Sequence, residues 1–247
     1  MEKGVGIIIQ ARLSSTRLPN KIILEVEKDK ISFLDVLLQR IIRLRNLFPI
    51  ILATSTAEKD DLLVSYAKKY KIGFFRGDEN NVLERFIKCA EKNNIKTIIR
   101  ICSDNPFIDI DSIIALYTEY KGEDYFSYKV NNLPSILTHY GFFSEIVSLK
   151  GLKTVSQQMG DECIEHVTNC IYKFPNKFTV RFLENNIVNT DIRCTLDTIE
   201  DFNLLKYIYT CFVKQNPELG YKEVIKFIET QPNLLNQMKK LIRKNKK

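Results

Sequence analysis

The chain has 247 residues, 45% of them hydrophobic, enough to bury a sizeable core in a single α/β domain spanning 1–247. Its formal charge of +7 is concentrated at one end: residues 239–247 hold six cations and no acid, so this tail reads as a solvated helix end and argues against a nucleic-acid-binding surface. No run approaches the roughly 20 apolar residues of a membrane span, residues 5–9 are too short for a signal peptide, and six cysteines without a CxxC pair read as reduced thiols of a soluble cytoplasmic protein.

From the N-terminus, short β-branched runs alternate with amphipathic stretches. "VGIIIQA" predicts a first buried strand, and "ISFLDVLLQRIIRLRN" a helix that starts at Ser32 in a capping-box-like pattern. "PIILATS" and "IGFFRG" predict strands, separated by the helix "DDLLVSYAKKY". Then come the helix "NVLERFIKCAEKN", the strand "TIIRICSD", and the helix "IDSIIALYTEY", capped by Asp109 or Asp111. Strands that are apolar throughout, alternating with helical periods, predict a mainly parallel sheet covered on both faces. After Tyr125 the alternation weakens, and residues 125–190 read as a lobe leaving the main sheet, toward an acceptor or a dimer contact. Within it "GDECIEHVTNCIYKF" reads as helical; "FTVRFLE" and "IRCTLD" read as strands before a helical C-terminal third.

In an open α/β sheet, ligands bind at the carboxyl ends of strands. The loop "ARLSSTRLPNK" lies there, without GxxxxGK[ST] or GxGxxG. Arg12, Arg17 and Lys21 can neutralise adjacent phosphates while Ser14, Ser15, Thr16 and backbone N–H groups bind their oxygens. An ordinary solvated basic loop is the other reading of the same residues. Asp104 ends "TIIRICSD" and Asp197 ends "IRCTLD"; as a pair at neighbouring strand ends they can hold Mg²⁺ against a triphosphate, and singly each also reads as a cap or turn residue.

The segments "IIIQARLSSTRLPNKII", "ILATST", "FFRGDENNVLERF", "IIRICSDNPFID", "EHVTNCIY" and "CTLDTIEDFNLL", in order along most of the chain, resemble the cytidylyltransferase family of the spore-coat polysaccharide F type. That family is related to the synthetases that couple CMP to deoxy-octulosonate and sialic-type sugar acids. The resemblance implies a nucleotide-diphosphosugar transferase fold, a GT-A-like and Rossmann-like three-layer α/β arrangement with a mixed, mainly parallel sheet, and a homodimer.

It also implies that Ala11, Arg12, Ser14, Ser15, Arg17 and Lys21 bind the triphosphate of CTP, that Asp104 and Asp197 hold Mg²⁺, and that Arg12, Lys21, Asp104 and Asp197 are catalytic. Ala53, Thr54 and Ser55, following the second strand, would offer backbone groups to the pyrimidine edge, with Arg76, Gly77 and Asp78 completing the nucleotide site. His166 in "EHVT" and Arg85 in "NVLERF" are assigned to the ligand side near the acceptor; a structural histidine and an exposed helix arginine are the alternatives. Asp201 reads as first-turn charge stabilisation, and His139 as packing or a surface contact. One departure concerns the acceptor: where many relatives read Pro-Asp-Gly and then a carboxylate, "NNLPSILTHYGFF" keeps Pro134 but has Ser135 and Ile136.

The implied reaction is attack of an acceptor oxygen on the α-phosphorus of CTP, with pyrophosphate leaving and a CMP-linked precursor of a surface glycan formed. No side chain reads as a general base. Two alternatives share the fold: transfer from another nucleoside triphosphate to a sugar phosphate, and a non-catalytic nucleotide-binding protein.

Overall fold

A computed structural model describes residues 4–27, 30–160, 163–165 and 167–245. Strand β1 (Val5–Gln10) is buried along nearly its whole length and pairs in parallel with β2 (Ile50–Ser55) on one side and β4 (Thr97–Cys102) on the other. Strand β3 (Gly73–Gly77) adds in parallel to β2 at the edge. Beyond β4 the direction changes: β7 (Glu145–Ser148) is antiparallel to β4, with Arg100 directly opposite Glu145. Strand β5 (Tyr125–Val130) is antiparallel to β7, and it carries both the short β6 (Leu133–Pro134) and the parallel β8 (Val180–Asn185). All eight strands form one sheet, so residues 125–185 extend the main sheet.

The pleat divides the apolar strands between two cores, because successive side chains point to opposite faces. Ile7, Ile9, Leu52, Ile99 and Ile101 face α1 (Phe33–Ile41), α2 (Asp61–Lys69), α4 (Ile110–Glu119), α7 (Ile199–Ile208), α8 (Tyr221–Glu229) and α9 (Pro232–Lys244). Ile8, Ile51, Ala53 and Ile98 face α3 (Val82–Lys92), α5 (Leu149–Gln158) and α6 (Asn169–Tyr172). This is the expected three-layer, mixed-sheet architecture. The helix starts also follow the sequence: Ser32 and Asp35 make a complete capping box, and Asp109 rather than Asp111 is the cap of α4, accepting from Ser112 N at 2.8 Å. The last helix buries Met238 and Leu241 while Lys239 and Lys244 pair with Asp191 and Glu200, so the described part of the basic tail is a docked helix end.

Three expectations change. "IRCTLD" forms no strand: residues 191–197 run without a ladder, and their N–H groups are met singly, Cys194 N by His139 O at 2.8 Å and Leu196 N by Asp104 O at 2.8 Å. The helix expected in "GDECIEHVTNCIYKF" contracts, within its described residues, to the four-residue α6. The cysteines are not all thiols: Cys163 and Cys170 are joined by a disulfide, with their Cα atoms 5.7 Å apart. Cys89, Cys102, Cys194 and Cys211 lie outside this bridge and keep their thiols.

Candidate active site

The loop after β1 alternates anchors with ligand-facing groups. Ala11 and Leu13 are buried, Ala11 N donating to Ala53 O at 3.1 Å and Leu13 N to Asp60 Oδ1 at 2.9 Å. Between and beyond them, Arg12, Ser14, Ser15, Arg17 and Lys21 line a cavity of about 690 Å³ at the carboxyl edge of the sheet. The fully buried Asp60 is the anchor of this region: its second oxygen accepts from Thr54 Oγ1 at 3.1 Å, Ser55 N at 3.2 Å and Ser55 Oγ at 2.5 Å. One buried aspartate side chain thus ties the basic loop to the end of β2.

Asp104, two residues beyond β4, and Asp197, just before α7, meet at this loop. Lys21 Nζ lies 3.2 Å from Asp104 Oδ2, 3.2 Å from Asp197 Oδ1 and 2.5 Å from the Leu196 carbonyl oxygen. Arg17 Nη2 donates to the same Asp197 oxygen at 2.8 Å. Burial disfavours charge on Lys21, but Asp104 and Asp197 outweigh it and hold the ammonium above its ordinary value.

Behind Asp197 lies a buried layer absent from the sequence-based assignment. Arg193 grips Asp201, whose Oδ2 also accepts from Asp197 N at 3.0 Å and Thr198 N at 2.9 Å. Arg193 Nη2 reaches Asp197 Oδ2 at 3.4 Å, and its Nη1 contacts His139 Nδ1. The bonding places Asp197 Oδ2 toward this layer and Oδ1 toward the cavity cations. Asp201 is therefore the first-turn acid expected, in a capping box with Thr198, and also a clamp on Arg193. His139 is buried, with its carbonyl on Cys194 N; the next turn is fixed by Gly141, whose φ of +69° and approach to Cys194 O leave no room for a Cβ.

The far half of the cavity is walled by residues 135–138, Phe143, Glu165, Thr168, Asn169, Tyr172 and Lys173. Its floor is a polar row across the sheet. Arg100 donates to Gln10 Oε1 at 2.9 Å and pairs with Glu145, which also accepts from Tyr125 OH at 2.5 Å and Thr168 Oγ1 at 3.0 Å. Arg100 Nε, Asn169 Oδ1 and Thr195 Oγ1 are buried without a partner among these groups. Arg12 spans the two halves, pairing with Glu165 at 2.8 Å.

Other expected residues lie outside this cavity's lining. Ala53, Thr54 and Ser55 are the last residues of β2 rather than following it, and the two hydroxyls are taken by Asp60. Arg76 braces the loop after β2, donating to Ser55 O and Ala57 O at 2.9 Å each and pairing with Asp61. Arg85 is not an exposed helix arginine: it is 1% exposed, packs under Gly77, and donates to Asp78 O at 2.9 Å, while its Nε and Nη2 have no partner among the described residues. His166 lies outside the described residues. Arg100 and Arg193 had a usable signal: each is a charge interrupting an otherwise apolar run, and such a charge is buried only when paired.

Among the described residues no group of three or more His, Cys, Asp or Glu can hold a metal. The pair Asp104 and Asp197 nonetheless suits Mg²⁺, which uses one or two carboxylates with waters and phosphate oxygens. Their oxygens already converge on one cation, the ammonium of Lys21. Also among these residues, no helix is long and apolar enough to cross a membrane.

Residues 6–246 match the family model described as cytidylyltransferase. Spore coat polysaccharide biosynthesis protein SpsF of Bacillus subtilis (strain 168) is 32% identical over 237 residues, 92% of this chain and 94% of its own length. A solved cytidylyltransferase from Leptospira borgpetersenii serovar Hardjo-bovis (strain JB197) superposes with a TM-score of 0.81 at 27% identity, over 95% of this chain and 97% of that one. The CMP:2-keto-3-deoxy-manno-octonic acid synthetase complexed with CTP shares the fold, with a TM-score of 0.61 at 13% identity over 83% of this chain and 98% of the other.

Proposed function

Because this chain belongs to the cytidylyltransferase family, we propose that it transfers CMP from CTP to a sugar acid or related acceptor, releasing pyrophosphate with the help of Mg²⁺. The observation that carries this reading is the convergence of Arg17 and Lys21 on Asp104 and Asp197 at the mouth of one cavity, from positions 83 to 180 residues apart. The spore-coat name of the Bacillus relative supports a surface-glycan precursor as the product. The chain is assigned to the cytoplasm, acting as a homodimer.

The first obstacle is repulsion. Each phosphate charge opposes an anionic acceptor by about 4 kcal/mol at 4 Å and an effective dielectric of 20. Arg12, Arg17 and Lys21 supply countercharge along the triphosphate and stabilise the charge that grows on the departing pyrophosphate. Ser14, Ser15 and the backbone between Ala11 and Arg17 bind phosphate oxygens. Asp104 and Asp197 hold the Mg²⁺, which when bound polarises the phosphoryl oxygens. The base is placed beside the end of β2, where Arg76 fixes the following loop. The far half of the cavity, from Ser135 to Thr138 and from Thr168 to Lys173, holds the acceptor with its oxygen toward the α-phosphorus. Arg100 and Asn169 offer it hydrogen bonds.

The test is pyrophosphate release with Mg²⁺, offering CTP, UTP, GTP and ATP against a panel of sugar acids and sugar phosphates. Release with CTP and a sugar acid is expected. Release only with another nucleotide and a sugar phosphate would replace the reading, and CTP binding with silence for every acceptor would favour a non-catalytic binder.

A further inference from the structure

We infer that in the free protein Lys21 fills the position a divalent ion needs, so that the ion binds together with the triphosphate and not ahead of it. This rests on the metal assignment proposed above. Three oxygens, from Asp104, Asp197 and the Leu196 carbonyl, converge on Lys21 Nζ at 3.2, 3.2 and 2.5 Å, an arrangement of the kind that surrounds a metal ion. Arg17 meets the same Asp197 oxygen at 2.8 Å. The two carboxylates are thereby matched by two cations before any ligand arrives. An approaching divalent ion meets like charge, and it must displace an ammonium whose side chain is only 11% exposed.

A triphosphate reverses this balance. It offers Lys21 and Arg17 strong anionic acceptors of their own, and their departure uncovers the aspartates. Lys21 is suited to the exchange, being a point charge on a flexible four-carbon stem whose donors rotate freely. It stands at the first residue of the 3₁₀ turn Lys21–Ile23, which follows Asn20 at φ +58°. By linkage, nucleotide and metal then raise each other's affinity by the same factor.

The test is Mn²⁺ binding to the nucleotide-free protein, followed by electron paramagnetic resonance, for the wild type, Lys21→Met and Lys21→Gln. Both variants are expected to bind Mn²⁺ more tightly than the wild type, by about tenfold, while losing turnover. Adding Asp197→Asn to Lys21→Met is expected to abolish the gain. Equal or weaker Mn²⁺ binding by whichever Lys21 variants keep the wild-type circular dichroism spectrum overturns the inference alone. A double variant that binds as tightly as Lys21→Met removes the aspartate pair as the metal site, and the inference falls with it.

Discussion

Arg193 and Asp201 make two parallel hydrogen bonds, Nε to Oδ1 at 2.6 Å and Nη2 to Oδ2 at 2.7 Å, with the arginine side chain wholly shielded from solvent. Removing one partner of such a pair leaves an uncompensated buried charge. Arg193→Met is therefore expected to lower stability by about 3–5 kcal/mol in urea denaturation. A loss below about 1 kcal/mol would mean that Asp201 finds another partner and that the layer behind Asp197 is dispensable.

Asp104→Asn and Asp197→Asn test the reacting centre. Each keeps the side-chain shape but removes a charge that the Lys21 ammonium and, in the proposed reaction, Mg²⁺ require. Turnover is expected to fall by about 10²–10³-fold with the circular dichroism spectrum unchanged. Near-normal pyrophosphate release by both variants would remove the metal assignment.

Asp60 is not among the residues that line the cavity, yet it ties the loop after β1 to the end of β2. Asp60→Asn cannot accept from all four donors, because one of its oxygens becomes an NH₂ group. Expected are a stability loss of about 1–3 kcal/mol and a raised KM for CTP as residues 11–17 loosen. An unchanged KM beside lost stability would confine Asp60 to the scaffold.

Acid stability has an identifiable contributor far from the site. Burial works against charge on Asp35, but Lys69 at 2.6 Å, Ser32 and Tyr70 at 2.8 Å outweigh it and hold the carboxyl below its ordinary value. A carboxylate whose folded value is depressed contributes stability above the unfolded value, about 3.9, and the contribution fades as pH falls through the folded value. Asp35→Asn is expected to be less stable at neutral pH and to lose less than the wild type on acidification below about pH 4. Parallel curves for the two proteins in denaturant titrations would assign the acid sensitivity elsewhere.

The sequence made the first half of the site legible because chemistry there is local. A buried strand running into Arg12, Arg17 and Lys21 without glycine leaves few roles for those cations, and the aspartate of "TIIRICSD" stands where a strand must end. What stayed hidden depends on long-range pairing. "IRCTLD" has the composition of a strand, but its N–H groups are satisfied one at a time by His139 and Asp104, which only the folded chain brings near. Arg100 and Arg193 occupy apolar runs whose alternation imitates a half-exposed strand, and their acidic partners come from other segments or from the next helix. That Asp60 claims the hydroxyls of Thr54 and Ser55 was likewise unread, since the sequence does not show which side chain of the following turn points back at the strand. The bridge between Cys163 and Cys170 escaped for a related reason: its spacing matches no short motif.

In the proposed reaction, the reversal of strand direction between β4 and β7 separates the nucleotide side from the acceptor side. Arg12, Lys21 and Asp104 hang from strands on the parallel side, whereas residues 135–143, Glu165 and residues 167–173 belong to the antiparallel extension. Asp197, arriving later in the chain, is linked to both, through Lys21 and through the Arg193–His139 contact. Substitutions on the far side can therefore reshape which molecule is received without disturbing how the nucleotide is gripped. A chimera exchanging residues 125–185 with a relative of different preference should adopt that preference and keep its affinity for CTP.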